Sequence, residues 1–245
     1  MQWLPLSDRQ NRVGYYIALA GFALALFIFF TGKNFPDIVD YFKGPPPATA
    51  GEGLSARWGP DRPTFTYEHP ATYTALNSIA NSPHWGDERD FVKIKKADTE
   101  KWENTVSACP GEIVEVRLYV NNSIAPNFQE PSSAVLGLTL TARTGPDRGS
   151  AWVSARLDAA NTPSVWDGAT VSCAGQDITL SMVEGSAKFR GSKTPPEGLP
   201  LTGFAFGAKS LLGYRELDGR LPNTTTGEFY DGEGIGYFSV RVEAR

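Results

Sequence analysis

The sequence predicts a mainly β protein: an antiparallel β-sandwich preceded by one transmembrane α-helix. Three observations carry this expectation. Val13 to Thr31 is a run of 19 residues without charge or proline. Beyond it, apolar and polar side chains alternate with a period of two between turn signals, the pattern of half-buried strands. No amphipathic stretch is long enough to supply the crossover helix of an α/β fold.

The apolar run would span roughly 28 Å as a helix, close to the ~30 Å hydrocarbon core of a bilayer. A helix packed against a soluble core keeps a polar face, and this one has none. The chain therefore divides into a cytoplasmic stub (1–12), a transmembrane helix (13–31), an interface segment with a Pro/Gly-rich stalk (32–63) and an extracytoplasmic β-sandwich domain (64–245). The basic bias is weak: Arg9 and Arg12 against Asp8 before the span, Lys33 and Lys43 against Asp37 and Asp40 after it. The short stub and the downstream cysteines favour the N-terminus inside and the C-terminal domain outside the cytoplasmic membrane. A cleavable signal peptide would have a shorter apolar core with a small-x-small site directly behind it. Here the nearest such site, Ala48-Thr49-Ala50, lies well beyond the core, so an uncleaved signal anchor is expected. Gly14, Ala18, Gly21 and Ala25 fall on one helix face, where small residues would let another membrane helix approach closely. An alanine-rich span also produces such a stripe by chance.

Residues 34–43 mix aromatic and acidic side chains suited to the headgroup level, and GPPPATAGEG with RWGPDRP reads as a semi-extended stalk. Strands follow. Val114, Val116, Leu118 and Val120 face one way and Glu115, Arg117 and Tyr119 the other. Leu136, Leu138, Leu140 and Ala142 alternate likewise, as do Ala151, Val153, Ala155 and Leu157. Ile178, Leu180 and Met182 form a fourth strand, and Phe238, Val240, Val242 and Ala244 a last one. Weaker strands are expected over 91–95, 169–173, 187–190 and 201–206.

The chain has 245 residues and a formal charge of −4, with no basic patch of the kind nucleic acid requires. Cys109 and Cys173 are its two cysteines. Without a C-x-x-C and with only His69 and His84 as histidines, they read as a structural disulfide and not as a metal or redox site.

Several motifs resemble known proteins. Cys109-Pro110-Gly111-Glu112-Ile113-Val114-Glu115-Val116, followed by Tyr119-Val120-Asn121-Asn122, resembles the opening of the immunoglobulin-type repeat modules of bacterial surface proteins. His69-Pro70-Ala71, Asn77-Ser78-Ile79 and Gly86-Asp87-Glu88-Arg89-Asp90-Phe91-Val92 resemble membrane-anchored exported proteins of actinobacteria and Saccharibacteria. Ser164-Val165-Trp166-Asp167, Leu212-Gly213-Tyr214 and Leu217-Asp218-Gly219-Arg220-Leu221-Pro222 fit the same group. The resemblance covers roughly residues 63–245. It implies an immunoglobulin-like sandwich in an exported, anchored protein, and it implies no activity.

The search for chemistry is largely negative. No G-x-S-x-G, S-x-x-K or H-E-x-x-H occurs. Ser82, His84 and Asp87 have the residue types of a nucleophile triad but lie too close in sequence to be held on separate rigid supports. Asp87, Glu88 and Asp90 could offer oxygens to Ca²⁺, although Arg89 stands among them and the spacing is not that of an EF-hand. Asp231-Gly232-Glu233-Gly234 reads as a glycine turn entering the last strand. A carboxylate pair of the glycosidase type stays open, since any two acids can meet in a fold. The stretch 210–236 is long for a sandwich connection and carries Leu211, Leu212, Tyr214, Leu221, Phe229 and Tyr230. These either form an interaction surface or fold back over the open end of the sandwich. Asn121-Asn122-Ser123 and Asn223-Thr224-Thr225 match the N-glycosylation acceptor pattern, which carries little weight in a bacterial chain.

The expected function is non-catalytic. The protein would hold to the bilayer by one helix and require no cofactor. Its protein partner would lie in the membrane or envelope, with the protein acting as accessory subunit or structural component. The alternatives are a tethered module that binds glycan or a surface protein, and a glycan-acting enzyme.

Overall fold

The computed structural model describes residues 58–128, 133–223 and 233–245. The span 13–31, with its stripe of Gly14, Ala18, Gly21 and Ala25, lies outside the described residues, as do Phe229 and Tyr230. The described part is mainly β and contains no helix.

Among the described residues, eleven strands form two sheets. The first contains β1 (Val92–Lys96), β3 (Ile113–Asn121), β11 (Glu233–Ala244), β8 (Lys188–Gly191) and β9 (Leu199–Pro200), in that order. β7 (Ile178–Met182) shares an edge of β11 with β8, pairing Val240–Ala244 while β8 pairs Gly234–Tyr237. The second sheet runs β10 (Lys209–Leu211), β4 (Thr139–Asp147), β5 (Ser150–Asp158), β6 (Val165–Ser172), β2 (Thr105–Ser107). All named pairs are antiparallel except β2 with β6.

One hydrophobic core joins the two sheets. Val114, Val116, Leu118 and Val120 of β3 enter it beside Phe238, Val240 and Val242 of β11. They meet Ala151, Val153, Ala155 and Leu157 of β5 from the other sheet. The period-two pattern forces this, because successive side chains of a strand point to opposite faces. Gly234 and Gly236 continue the inward row of β11. A Cβ at Gly234 would come within 2.2 Å of the Phe189 ring, and one at Gly236 within 2.8 Å of Leu118. They are thus strand glycines that make room for large core side chains, and the turn expected at Glu233-Gly234 is already strand.

Other expectations need correction. Leu136 precedes β4 and is 43% exposed, since Gly137 takes a positive φ of 65° and turns the chain before the strand begins. Ala244 is exposed at the strand's end. The strand expected over 201–206 is a pair of turns, at Gly203 (φ 72°) and Gly207 (φ 83°), although Leu201 and Phe204 still reach the core. Folded contacts also begin before residue 64: Gly59 pairs with Trp166, and Arg62 donates to the Asn77 carbonyl at 2.8 Å.

Cys109 and Cys173 form a disulfide with a Cα–Cα distance of 5.0 Å. It ties the crossing from β2 to β3, hence from one sheet to the other, to the end of β6. Closing a loop of this size stabilises the fold by about 4 kcal/mol in the chain-entropy view.

Candidate functional site

The outer face of the first sheet carries two polar assemblies that meet at Tyr119 and Glu233. The first is a clamp. Residues 58–91 form no regular strand and instead wrap past the end of β3, held by side chains that replace ladder partners. Asn77 has a left-handed φ of 46°, which asparagine tolerates better than most residues. Its amide donates to the Tyr119 carbonyl at 2.8 Å, and its Oδ1 accepts from the Asn121 backbone at 2.7 Å. Glu88, 1% exposed, accepts from the Ile79 backbone (3.0 Å), the Asn121 amide (2.8 Å) and the Ser123 hydroxyl (3.1 Å). Burial pushes its carboxyl up to about 7 against the pull of these donors. Asp167 of β6 reaches across to the other sheet and accepts from the Val92 backbone at 2.7 Å, and burial raises it too, to about 7. Arg62 donates to the carbonyls of Gly59, Pro60 and Asn77, and desolvation with the nearby Arg89 lowers its guanidinium to about 10.

The three carboxylates considered for Ca²⁺ diverge within this clamp. Asp87 is gripped by Arg89 through Nε and Nη2, at 2.9 and 2.6 Å. Asp90 pairs with Lys93 and Asn104. Glu88 is committed to the three donors above. Among the described residues no group of three acidic, histidine or cysteine side chains is arranged to hold a metal ion. The physical reason is that consecutive residues here lie in a turn whose side chains leave in different directions. The asparagines of the glycosylation patterns are likewise inside: Asn121, Asn122 and Asn223 are buried, and Asn122 donates to the Ser133 carbonyl at 2.7 Å.

The second assembly is a ladder of rings and cations. Trp85 stacks on Tyr119, with centroids 5.0 Å apart and planes 9° from parallel. The Arg117 guanidinium lies 4.6 Å from the Trp85 ring and 4.5 Å from that of Trp102, and Lys95 caps Trp102 at 5.2 Å. Each such contact contributes about 0.5–1 kcal/mol when exposed and more when desolvated. Arg117 and Tyr119 stand two residues apart on β3, so they share its outward face. Trp85 and Trp102 arrive from loops on either side of β1.

Beside the ladder a cleft of about 510 Å³ opens, bounded by Trp85, Arg117, Tyr119, Arg190, Ser192 and Glu233. Its floor is the outward face of β3, β11 and β8, where Tyr119, Ile235 and Arg190 lie in register across three strands. Glu233 is joined to His84 at 3.1 Å. Ser82 lies on the other side of Glu233, in a smaller pocket of about 90 Å³ that also takes in Glu88. The residue types of a triad therefore do not assemble as Ser82, His84 and Asp87: histidine turns to Glu233, and Asp87 to Arg89.

The 210–222 stretch folds back over the end of the second sheet. Leu212 and Leu221 are fully buried and Tyr214 packs against the core, leaving Leu211, 45% exposed, as the apolar side chain this stretch presents. The sequence reading missed the cleft itself. Its one legible signal was the outward pair Arg117 and Tyr119; the partners Trp85, Trp102, Arg190 and Ser192 are scattered through the chain and meet only in the fold. No family model, curated protein or solved structure matches the chain.

Proposed function

We propose that this chain is a single-span membrane protein, N-terminus inside, that presents an immunoglobulin-like β-sandwich outside the cytoplasmic membrane and acts by binding. The observation that carries the binding reading is the cleft beside Trp85: among the described residues, three of the eight buried side-chain polar atoms without a hydrogen bond belong to its walls, namely Arg117 Nε, Tyr119 Oη and Ser192 Oγ. Such groups are costly to leave unpaired in a folded protein, and a ligand that pairs them recovers that cost. The disulfide supports placement in an oxidising compartment. The resemblance to anchored exported proteins and the 13–31 span support the tether.

The test is extraction of the full chain from membranes in mild detergent, with co-purifying molecules identified by mass spectrometry, together with co-sedimentation of the purified chain with cell-envelope fragments. An accessory subunit held by the Gly14, Ala18, Gly21 and Ala25 face brings a membrane protein with it. A tethered binding module instead sediments with envelope. Failure of both refutes the binding reading.

A glycan-acting enzyme is favoured by one observation, the shared pocket of Glu88 and Glu233 with Glu88 raised to about 7, as a general acid requires. The three donors that saturate Glu88 argue against it. Release of reducing ends from envelope glycan, abolished by Glu88→Gln with the fold intact, would establish it.

A further inference from the structure

The geometry points to the cleft between Arg117 and Arg190 as a site for a carboxylate-bearing sugar unit, the chemistry of a uronic acid in an acidic glycan. This rests on the binding reading above and names its ligand class. None of the ion pairs among the described residues includes Arg117: Glu115, its neighbour on one side of the outward row, pairs with Lys95, Tyr119 stands on the other side, and the Trp85 and Trp102 rings lie against its guanidinium. Burial holds its guanidinium below the usual range, with Tyr237 as the opposing influence. Arg117 lines the cleft with a partly desolvated guanidinium, the group that pairs best with carboxylates, while its Nε is buried without a hydrogen bond. Arg190 projects from β8 on the same face, two strands away and in register with Tyr119 through Ile235, while Arg117 pairs with Tyr237 one step further along. Both cations line the cleft, whose floor includes Ile235, and offer an anion positive charge from two of its sides.

Two further atoms specify hydroxyls. Tyr119, 2% exposed, lies close to Glu233 and Ser82 without a good hydrogen bond to either, and Ser192 Oγ is buried and unpaired. Both can donate or accept, which suits the hydroxyls of a sugar ring. Trp85 adds a partly exposed indole at the rim. A cleft of about 510 Å³ falls within the range of small-ligand sites. An extended peptide fits less well, since the floor is made of strands whose backbone groups are already paired and cannot accept another strand. Among the described residues the one carboxylate in the wall is Glu233, which is joined to His84 and stands two residues further along β11 than Ile235, about 7 Å away along the strand.

The experiment is isothermal titration calorimetry at low ionic strength on the full chain in neutral detergent, with the disaccharide of β-1,4-linked glucuronic acid and with cellobiose, its neutral counterpart. The uronic disaccharide is expected to bind, cellobiose at least tenfold more weakly, and added salt to weaken the acid selectively. Arg190→Gln should weaken the acid at least fivefold with an unchanged melting temperature, because Arg190 is exposed and stands outside the ring ladder. Arg117→Gln should abolish binding. Absence of heat with the uronic disaccharide, equal binding of cellobiose, or unaltered binding by Arg190→Gln overturns the assignment. Envelope co-sedimentation that persists when the uronic acid fails would sink the ligand class and leave the binding reading standing.

Discussion

The clamp around Glu88 and the cleft around Arg117 sit side by side on the same strand, and both bring charged groups out of water. They differ in completion. In the clamp the Glu88 oxygens have three donors and Asn77 satisfies β3 from both ends of its amide. In the cleft an arginine nitrogen and two hydroxyls have none, whereas the clamp leaves one such atom, Arg62 Nε. A closed network fixes a fold, whereas an open one leaves interaction energy for a ligand. The contrast turns on the residue next along β3: Asn121 points its amide into the clamp, while Tyr119 and Arg117 stack under rings and keep polar edges free.

The contrast can be broken or sharpened by experiment, beginning with the largest effect. Replacing Cys109 and Cys173 together by serine should cost about 4 kcal/mol, read as a lowered denaturant midpoint, since the bridge holds both sheets on which the two regions are built. Glu88→Ala should cost about 3 kcal/mol by leaving three donors unpaired in a buried space. A chemical denaturation curve no different from the wild type would mean the clamp is not closed as described. Ser192→Ala, by contrast, removes a hydroxyl that pairs with nothing, and should shift stability by less than about 0.5 kcal/mol. A large loss there would show that the cleft is structural.

A pH series separates the regions further. Glu88 and Asp167 titrate near 7 in the folded protein, well above their unfolded values of 4.5 and 3.8. Between those limits the folded state holds more protons than the unfolded chain, so stability should fall as pH rises from about 4 to about 7 and level off above. Thermal melts across that range test this, with an effect of order 3–4 kcal/mol for each group. Glu88→Gln, with the Asn121 amide turned to accept, should flatten part of that slope while Arg190→Gln leaves it unchanged. Identical slopes in wild type and Glu88→Gln would remove Glu88 as its source.

Much of this architecture was legible in the residues. Val114, Val116, Leu118 and Val120 announced an inward row by their spacing alone, and Cys109 and Cys173 announced a bridge by elimination. Both signals are local or compositional. The turns at Gly203 and Gly207 were hidden because a positive φ leaves no trace in an apolar count, and Leu201 and Phe204 stay buried whether or not they lie in a strand. The acidic run Asp87, Glu88 and Asp90 offered a cation site only as the less favoured reading, and its side chains leave the turn in different directions, which adjacency in sequence does not reveal.

The sequence by itself determined the β class, the inward faces of the main strands and the pairing of its two cysteines, because alternation and residue chemistry act over a few positions. Only the tertiary structure decided which polar groups are satisfied and which are not. Glu88 finds its donors in Ile79, Asn121 and Ser123, and Arg117 finds Trp85 and Trp102 but, among the described residues, no ion-pair partner, through approaches made between segments that share no local pattern. Burial without a partner is a property of the folded surroundings, so the cleft came into view only with the fold.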